Sequence, residues 1–198
     1  LGRLDTLPTG RNFYSVHTRA EPTPTARALG WNSANLLNKK HQQTEGDWPR
    51  AMLLTAWGTA NMRTGGDDIA QALALMGARP VWDEMSGRVT GFEIIPAATL
   101  GRPRVDVTLR ISGFFRDAFP AQVDLVASAA RAVMELDEPE AGNPAAARFR
   151  REAAEVGDAR AGFRVFGSKP GANGAGLQAM LDERLWLDKG DLADALLT

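Results

Sequence analysis

Between Thr25 and His41 the apolar residues Ala28, Trp31, Ala34 and Leu37 recur every three positions, a stripe that predicts a helix with Thr25 as its N-cap. The run AMLLTAW (51–57) is almost continuously apolar and is bounded by Pro49 and Gly58, the pattern of a short strand buried on both faces. A loop, GTANMRTGG, follows it. Ile69, Ala72, Leu73 and Met76 return to helical spacing over 67–76, with Gly77 placed to end the helix. RPVW (79–82) and VTGFEII (89–95) predict two strands around an SGR turn, and VDVTLRI (105–111) predicts an alternating third. Val123, Val126, Ala130, Val133 and Met134 then mark a helix over 121–136.

Strand, helix, strand, strand, helix with short connections predicts an α/β fold. The expected form is an open, largely parallel sheet with flanking helices, a Rossmann-like or flavodoxin-like layer. Residues 1–140 form its core region, entered through an extended segment rich in Pro, Thr and Gly (LPTGRNFYSV, EPTPT). Residues 141–198 form a mostly helical extension: a helix over about 145–156, an extended RAGFRVFGS, and the helical patches LQAMLDERLW and DLADALL. The chain starts at Leu1 and runs out on a helical pattern without a stop signal, so an internal portion of a larger polypeptide is expected.

Composition removes several classes of function. Lys plus Arg number 23 against 24 Asp plus Glu, so there is no global positive charge to attract nucleic acid or an anionic membrane. The longest apolar run is far short of the roughly 20 residues of a membrane span. The absence of cysteine excludes disulfides, thiolate zinc sites and cysteine nucleophiles, and suits a cytoplasmic, reducing location. GSKPGANGAG (167–176) fails as a nucleotide phosphate loop. Its Lys169 follows Gly167 by two positions and Gly174 is followed by Ala175, where a lysine is required. His17 and His41 are the only histidines, neither in a metal-binding pattern, and no serine sits in a hydrolase elbow.

The remaining candidate chemistry lies where predicted strands end. In open α/β sheets, ligands bind beyond the carboxyl ends of strands. TGGDD (Thr64–Asp68) follows the 51–57 strand through the GTANMRTGG loop, and SGFFRDAFP (112–120) follows the 105–111 strand, so both loops point to one crevice. The glycines permit positive φ or close approach of a ligand. Asp67 and Asp68 open a helix, where a carboxylate can simply cap it and complement its dipole. Consecutive helical side chains diverge by about 100°, so one capping Asp leaves the other to explain. Arg116 and Asp117 can hold a carboxylate-bearing ligand or brace the loop. Phe114, Phe115 and Phe119 can floor a flat ligand or pack in the core.

The long runs LPTGRNFYSV, WGTANMRTGGDDIAQALALMGARPVWD, GRVTGFEIIP, LGRPRVDVTLRISGFFRDAFPAQ, LDEPE and FRVFGSKPGANGAGLQAMLDE, in this order, resemble the family of cobaltochelatase large subunits and magnesium chelatase H subunits. The resemblance covers essentially the whole chain. It implies insertion of Co(II), the substrate metal, into a corrin-ring precursor (hydrogenobyrinic acid a,c-diamide) in cobalamin synthesis. It also implies AAA+-type partner subunits that use ATP and Mg(II), consistent with the failed phosphate loop here. Insertion of Mg(II) into protoporphyrin IX is the alternative within the family. TGGDDIAQ and the lysine-proline-glycine run resemble the cobalt branch, where magnesium relatives read TYGES. The chain departs from the family pattern at His17, where Asp is usual, and at Asn173, where an aromatic is usual.

Metal insertion removes water from a cation and two protons from pyrrolic nitrogens, tasks suited to carboxylates. The resemblance favours Asp67, which stands where magnesium relatives carry Glu, as proton acceptor or transient metal ligand, with Asp68 beside it as second catalytic candidate or helix cap. Arg11, Arg63 and Arg116 are expected to pair with the macrocycle's carboxylates, and Trp57, Asn61, Phe114 and Phe115 to contact it. Two rivals stand: a scaffold module that docks the ATPase subunits without catalysis, and a small-ligand-binding α/β domain.

Overall fold

The computed structural model describes residues 18–168. Its centre is a parallel three-stranded sheet in the order β1 (Ala51–Ala56), β4 (Asp106–Ile111), β5 (Val165–Gly167). Ala51 pairs with Asp106 and Ala56 with Ile111, while Leu109 pairs with Val165. Around it lie the helices α1 (Pro24–Glu45), α2 (Gly58–Thr64), α3 (Asp67–Met76), α4 (Ala97–Leu100), α5 (Gly113–Ala118), α6 (Pro120–Met134), α7 (Pro144–Val156) and α8 (Asp158–Ala161). The open, parallel α/β expectation is met. The 79–82 and 89–95 strands, however, form a separate antiparallel hairpin, β2 (Ala78–Trp82) with β3 (Val89–Ile94). A short turn joins them, and a turn that short cannot carry a parallel crossover.

The order β1-β4-β5 advances in one direction. Helix α3 packs on β1 and β4, α6 packs on β5, and α3 and α6 pack on each other, so both crossovers cover the same face. Val107, Leu109 and Ile111 point into that face with Met52 and Leu54, against Ile69, Leu73 and Met76 of α3 and Val126, Ala130 and Val133 of α6. On the other face, among the described residues, Leu53 is 66% exposed and Phe166 50%. The expectation that 51–57 is buried on both faces therefore fails, because β1 is an edge strand covered from one side. Among the described residues no helix is long and apolar enough to cross a membrane.

Local details also differ from expectation. Helix α1 starts earlier than its apolar stripe suggests, with Thr23 as N-cap: its hydroxyl accepts from Ala26 N–H at 3.1 Å and Pro24 follows at N1. Its buried stripe is Ala26, Gly30, Ala34 and Asn38, rotated from the expected one. The cause is packing on α3. A Cβ at Gly30 would lie 2.5 Å from the Gln71 nitrogen, so the glycine is what lets the helices touch. GTANMRT is helical (α2), not a loop; seven residues are too few to show an apolar period. The Val165–Gly167 strand of the C-terminal region joins the central sheet.

Candidate functional site

Because Ala56 and Ile111 are paired neighbours on parallel strands, the helices that follow start side by side. Ser112 couples them. Its N–H donates to Ala56 O at 3.2 Å, and its hydroxyl accepts from Phe115 N–H at 3.2 Å, capping α5, and from Gly58 N–H at 3.5 Å. Phe114 lies against Gly58 so closely that a Cβ there would fall 2.4 Å from the ring. Trp57 and Phe114 are each about half exposed at this edge, as a flat ligand would require. The two strand-end segments do converge.

The turn between α2 and α3 is built from consecutive left-handed glycines, Gly65 (φ 71°) and Gly66 (φ 90°). The Asn61 carbonyl accepts from Gly65 N–H at 2.9 Å and Gly66 N–H at 3.2 Å, which closes α2. Gly66 is the N-cap of α3, and Asp67 and Asp68 occupy its first two helical positions. Neither carboxylate caps the helix. The hydroxyl of Thr64 takes the Asp67 N–H instead, at 3.4 Å. The expectation that Asp68 serves as cap is thereby corrected: Gly66 holds the N-cap position, and the Asp68 carboxylate takes none of the free amides of the first turn. Among the described residues neither Asp side chain forms a hydrogen bond or ion pair. Burial, and then the neighbouring Asp67 charge, push the Asp68 carboxyl above its ordinary range.

Other expected contacts sort clearly. Arg63 is exposed and makes no side-chain hydrogen bond or ion pair with the described residues, so its guanidinium is available to a ligand anion. Arg116 is engaged: Nε and Nη2 donate to Asp117 at 2.8 and 2.9 Å, and Nη1 donates to Ser168 O. Phe115 is fully buried, tilted on Phe119 at 5.1 Å between centroids, and belongs to the core. Asn61 is also fully buried and cannot touch a macrocycle. Both corrections have one cause, since on a short helix only one side faces out. Arg11, His17, Lys169 and Asn173 lie outside the described residues.

A buried polar trio beneath the turn escaped the sequence reading. Asn61 Nδ2 donates to Glu21 Oε2 and to Gln122 Oε1, each at 3.0 Å, and Gln122 Nε2 donates to Glu21 Oε2 at 2.9 Å. Burial pushes the Glu21 carboxyl up, opposed by the Gln122 hydrogen bond. Glu21 stands in a polar, Pro- and Thr-rich segment, so its neighbours in the chain gave no signal of this burial. Among the described residues no three His, Cys, Asp or Glu side chains gather as a metal site. Two clefts, of about 470 and 440 Å³, are lined by neither Asp67 nor Asp68. The candidate groups follow one another along α2: Trp57 and Gly58, against which Phe114 lies, open it, and Arg63 and the paired carboxylates stand at and beyond its far end.

Fold and site define an α/β domain that presents a glycine turn and unpaired carboxylates where parallel strands end. A family model described as CobN/Magnesium Chelatase matches residues 1–198, and the chain belongs to that family. Aerobic cobaltochelatase subunit CobN of Sinorhizobium sp. is 62% identical over 206 residues, covering 100% of this chain and 16% of that protein. The solved structure of the catalytic subunit of cobaltochelatase from Mycobacterium tuberculosis superposes with a TM-score of 0.89 at 49% identity, over 96% of this chain and 16% of that one. The H-type magnesium-chelatase protein of Cereibacter sphaeroides is 38% identical over 192 residues, 96% of this chain and 16% of that protein. The chain thus spans about a sixth of the length of the relatives it matches.

Proposed function

We propose that this chain is the part of a cobaltochelatase large subunit that carries the paired carboxylates of metal insertion, acting on Co(II) and a corrin-ring precursor. The observation that carries the reading is the Asp67–Asp68 pair: its side chains have no partner among the described residues, and it follows two left-handed glycines at the end of α2, the helix that carries Arg63 and opens against Phe114 at the carboxyl edge of the sheet. Replacing two pyrrolic protons by one Co(II) leaves two protons to be taken up. A carboxylate with its pKa raised toward the working pH accepts a proton more readily than an ordinary one, which suits Asp68. Asp67, beside it, then meets the cation as it sheds water. Arg63 pairs with a macrocycle carboxylate. ATP and Mg(II) are used by AAA+-type partner subunits, and the work is cytoplasmic.

Cobalt is favoured over magnesium by the 62% identity to the Sinorhizobium cobaltochelatase protein against 38% to the magnesium-chelatase one. The test is insertion by the complete large subunit with its partners and ATP. Asp67→Asn is expected to abolish insertion and to leave tetrapyrrole binding, followed by absorbance titration, largely intact. Insertion at the normal rate would sink the assignment. A second reading, a docking module, is favoured by the open face bearing Leu53 and Phe166. It predicts that Asp67→Asn is silent and that charged substitutions at Leu53 block assembly.

A further inference from the structure

We infer that Asn61, Gln122 and Glu21 are positioning residues, a clamp that holds the glycine turn and so aims Asp67 and Asp68. The inference rests on the catalytic reading of that pair. The contacts close into a ring. Glu21 Oε2 is bonded to the Asn61 amide at 3.0 Å, and the Asn61 carbonyl receives Gly65 N–H at 2.9 Å and Gly66 N–H at 3.2 Å. Gly65 O in turn receives Thr23 N–H at 2.9 Å, two residues beyond Glu21. The turn is thus gripped from its carbonyl side by Thr23 and from its amide side by Asn61, and both grips lead back to one short segment. Gly66 fits that grip because it lacks a side chain: a Cβ would stand 2.9 Å from Pro22 Cα.

Gln122 fixes the ring to the core. It comes from α6, is 1% exposed, and bonds both other members. A buried polar trio of this kind is a poor way to gain stability, since apolar side chains of similar volume do as well or better. One of its atoms, Asn61 Oδ1, is buried with no partner, a cost with no return in stability. What the trio supplies is a single orientation. Asn61 has one side-chain and one main-chain role, so fixing its amide fixes the carbonyl that sets both glycine amides.

The test uses the complete large subunit with its ATPase partners and ATP, and reads kcat, the tetrapyrrole KM, and hydrogen exchange at the Gly65 and Gly66 amides. Gln122→Leu is expected to lower kcat about 10- to 100-fold, as misplacement by an ångström does, with KM within about twofold of normal. The two amides are expected to exchange about tenfold faster or more. Gln122→Glu sets two carboxylates against each other and is expected to behave at least as badly. The swapped double variant Glu21→Gln with Gln122→Glu restores one carboxylate and two amides, and is expected to recover both kcat and slow exchange. That recovery is a readout no general loss of packing gives, and it stands even if Gln122→Leu fails to fold. A folded Gln122→Leu with kcat and exchange both unchanged overturns the clamp, as does a folded swap variant that recovers neither. If Asp67→Asn retains the full rate while Gln122→Leu still frees the amides, the catalytic reading falls and the clamp on the turn stands.

Discussion

The two ends of α3 solve the same problem in opposite ways. At its carboxyl end, Arg102 and Arg104 donate to carbonyls of the last turn and of Gly77. Arg104, 1% exposed, uses every nitrogen it has: Nη1 on Met76 O and Gly77 O, Nη2 on Ile95 O, and Nε and Nη2 on the Glu138 carboxylate at 2.7 and 2.9 Å. Arg102 donates to Ala74 O and Leu75 O and lies 6.0 Å from the Trp31 ring centroid; burial, and then the Arg104 charge, bring its pKa down to about 10. At the amino end, two carboxylates complement the helix dipole but bond to nothing among the described residues. Where every donor and acceptor is matched, the charges serve the fold. Where a pair is left open on a turn that is itself tightly gripped, in the proposed function the rigidity serves a ligand.

The contrast breaks first at Arg104. Arg104→Met leaves the Glu138 carboxylate without its cation and two main-chain carbonyls, Met76 O and Ile95 O, unmet, while Gly77 O keeps the Ile95 N–H, so a loss of about 3–5 kcal/mol is expected in urea unfolding. A loss under about 1 kcal/mol would mean that the carboxyl end of α3 is no more a structural brace than the amino end.

Asp67 should show the reverse profile. A positioned proton acceptor or metal ligand contributes about 10²–10⁴ in rate, so Asp67→Asn is expected to cost at least a hundredfold in kcat of insertion. Its stability is expected to stay within about 1 kcal/mol of the parent, because the lost dipole interaction is offset by removing repulsion from Asp68. A variant that is destabilised and fully active would place Asp67 with the braces.

The carboxyl end of α3 was legible and the amino end only in outline. Ile69, Leu73 and Met76 at helical spacing and Gly77 as stop define the helix to the residue, since local period and a glycine in the left-handed region are properties of the chain itself. Asp67, Trp57 and Phe114 were placed at a strand-end crevice for the same reason: strand ends can be read from pattern. What could not be read depends on neighbours distant in sequence. That β1 has one bare face follows from both crossovers lying on the same side, and no residue of AMLLTAW records it. That Phe115 is buried while Phe114 is exposed depends on where α5 meets Phe119 and Gly58. The Glu21, Asn61 and Gln122 trio spans about a hundred residues of chain, and a polar residue in an irregular segment carries no period to announce such a contact.

A smaller effect sharpens the comparison at the turn. Gly66 holds φ at 90°, where an L side chain is strained, and its missing Cβ faces Pro22. Gly66→Ala is expected to cost about 1–3 kcal/mol from the backbone alone. It should also lower the insertion rate by more than that loss of folded protein accounts for, since α3 begins there. Gly87, left-handed at φ 66° with nothing within 4 Å of a Cβ, is the control: Gly87→Ala should show the strain and no effect on rate.

The smallest effect turns on pH, and the two ends should differ in sign. Glu138 is held below the usual 4.5, first by the Arg104 hydrogen bond. Its folded form binds a proton less readily than its unfolded form, so the stability it contributes is present above pH 4.5 and is lost as pH falls through its folded value. Glu21 is pushed above 4.5 by burial, so its charged form is penalised in the folded state, and the penalty is relieved as pH falls through its raised value toward 4.5. Glu21→Gln keeps an acceptor for Asn61 and Gln122 without the charge. It should therefore raise the melting temperature at about pH 7, and the gain should shrink as pH falls and be gone by about pH 4, where Glu21 is protonated in both states. Glu138→Gln should do the opposite at about pH 7, lowering the melting temperature by an amount that fades toward acid. If both substitutions moved the melting temperature the same way, the carboxylates at the two ends of α3 would be held by the same balance of burial and pairing, and the division between a braced end and a gripped but open one would fail.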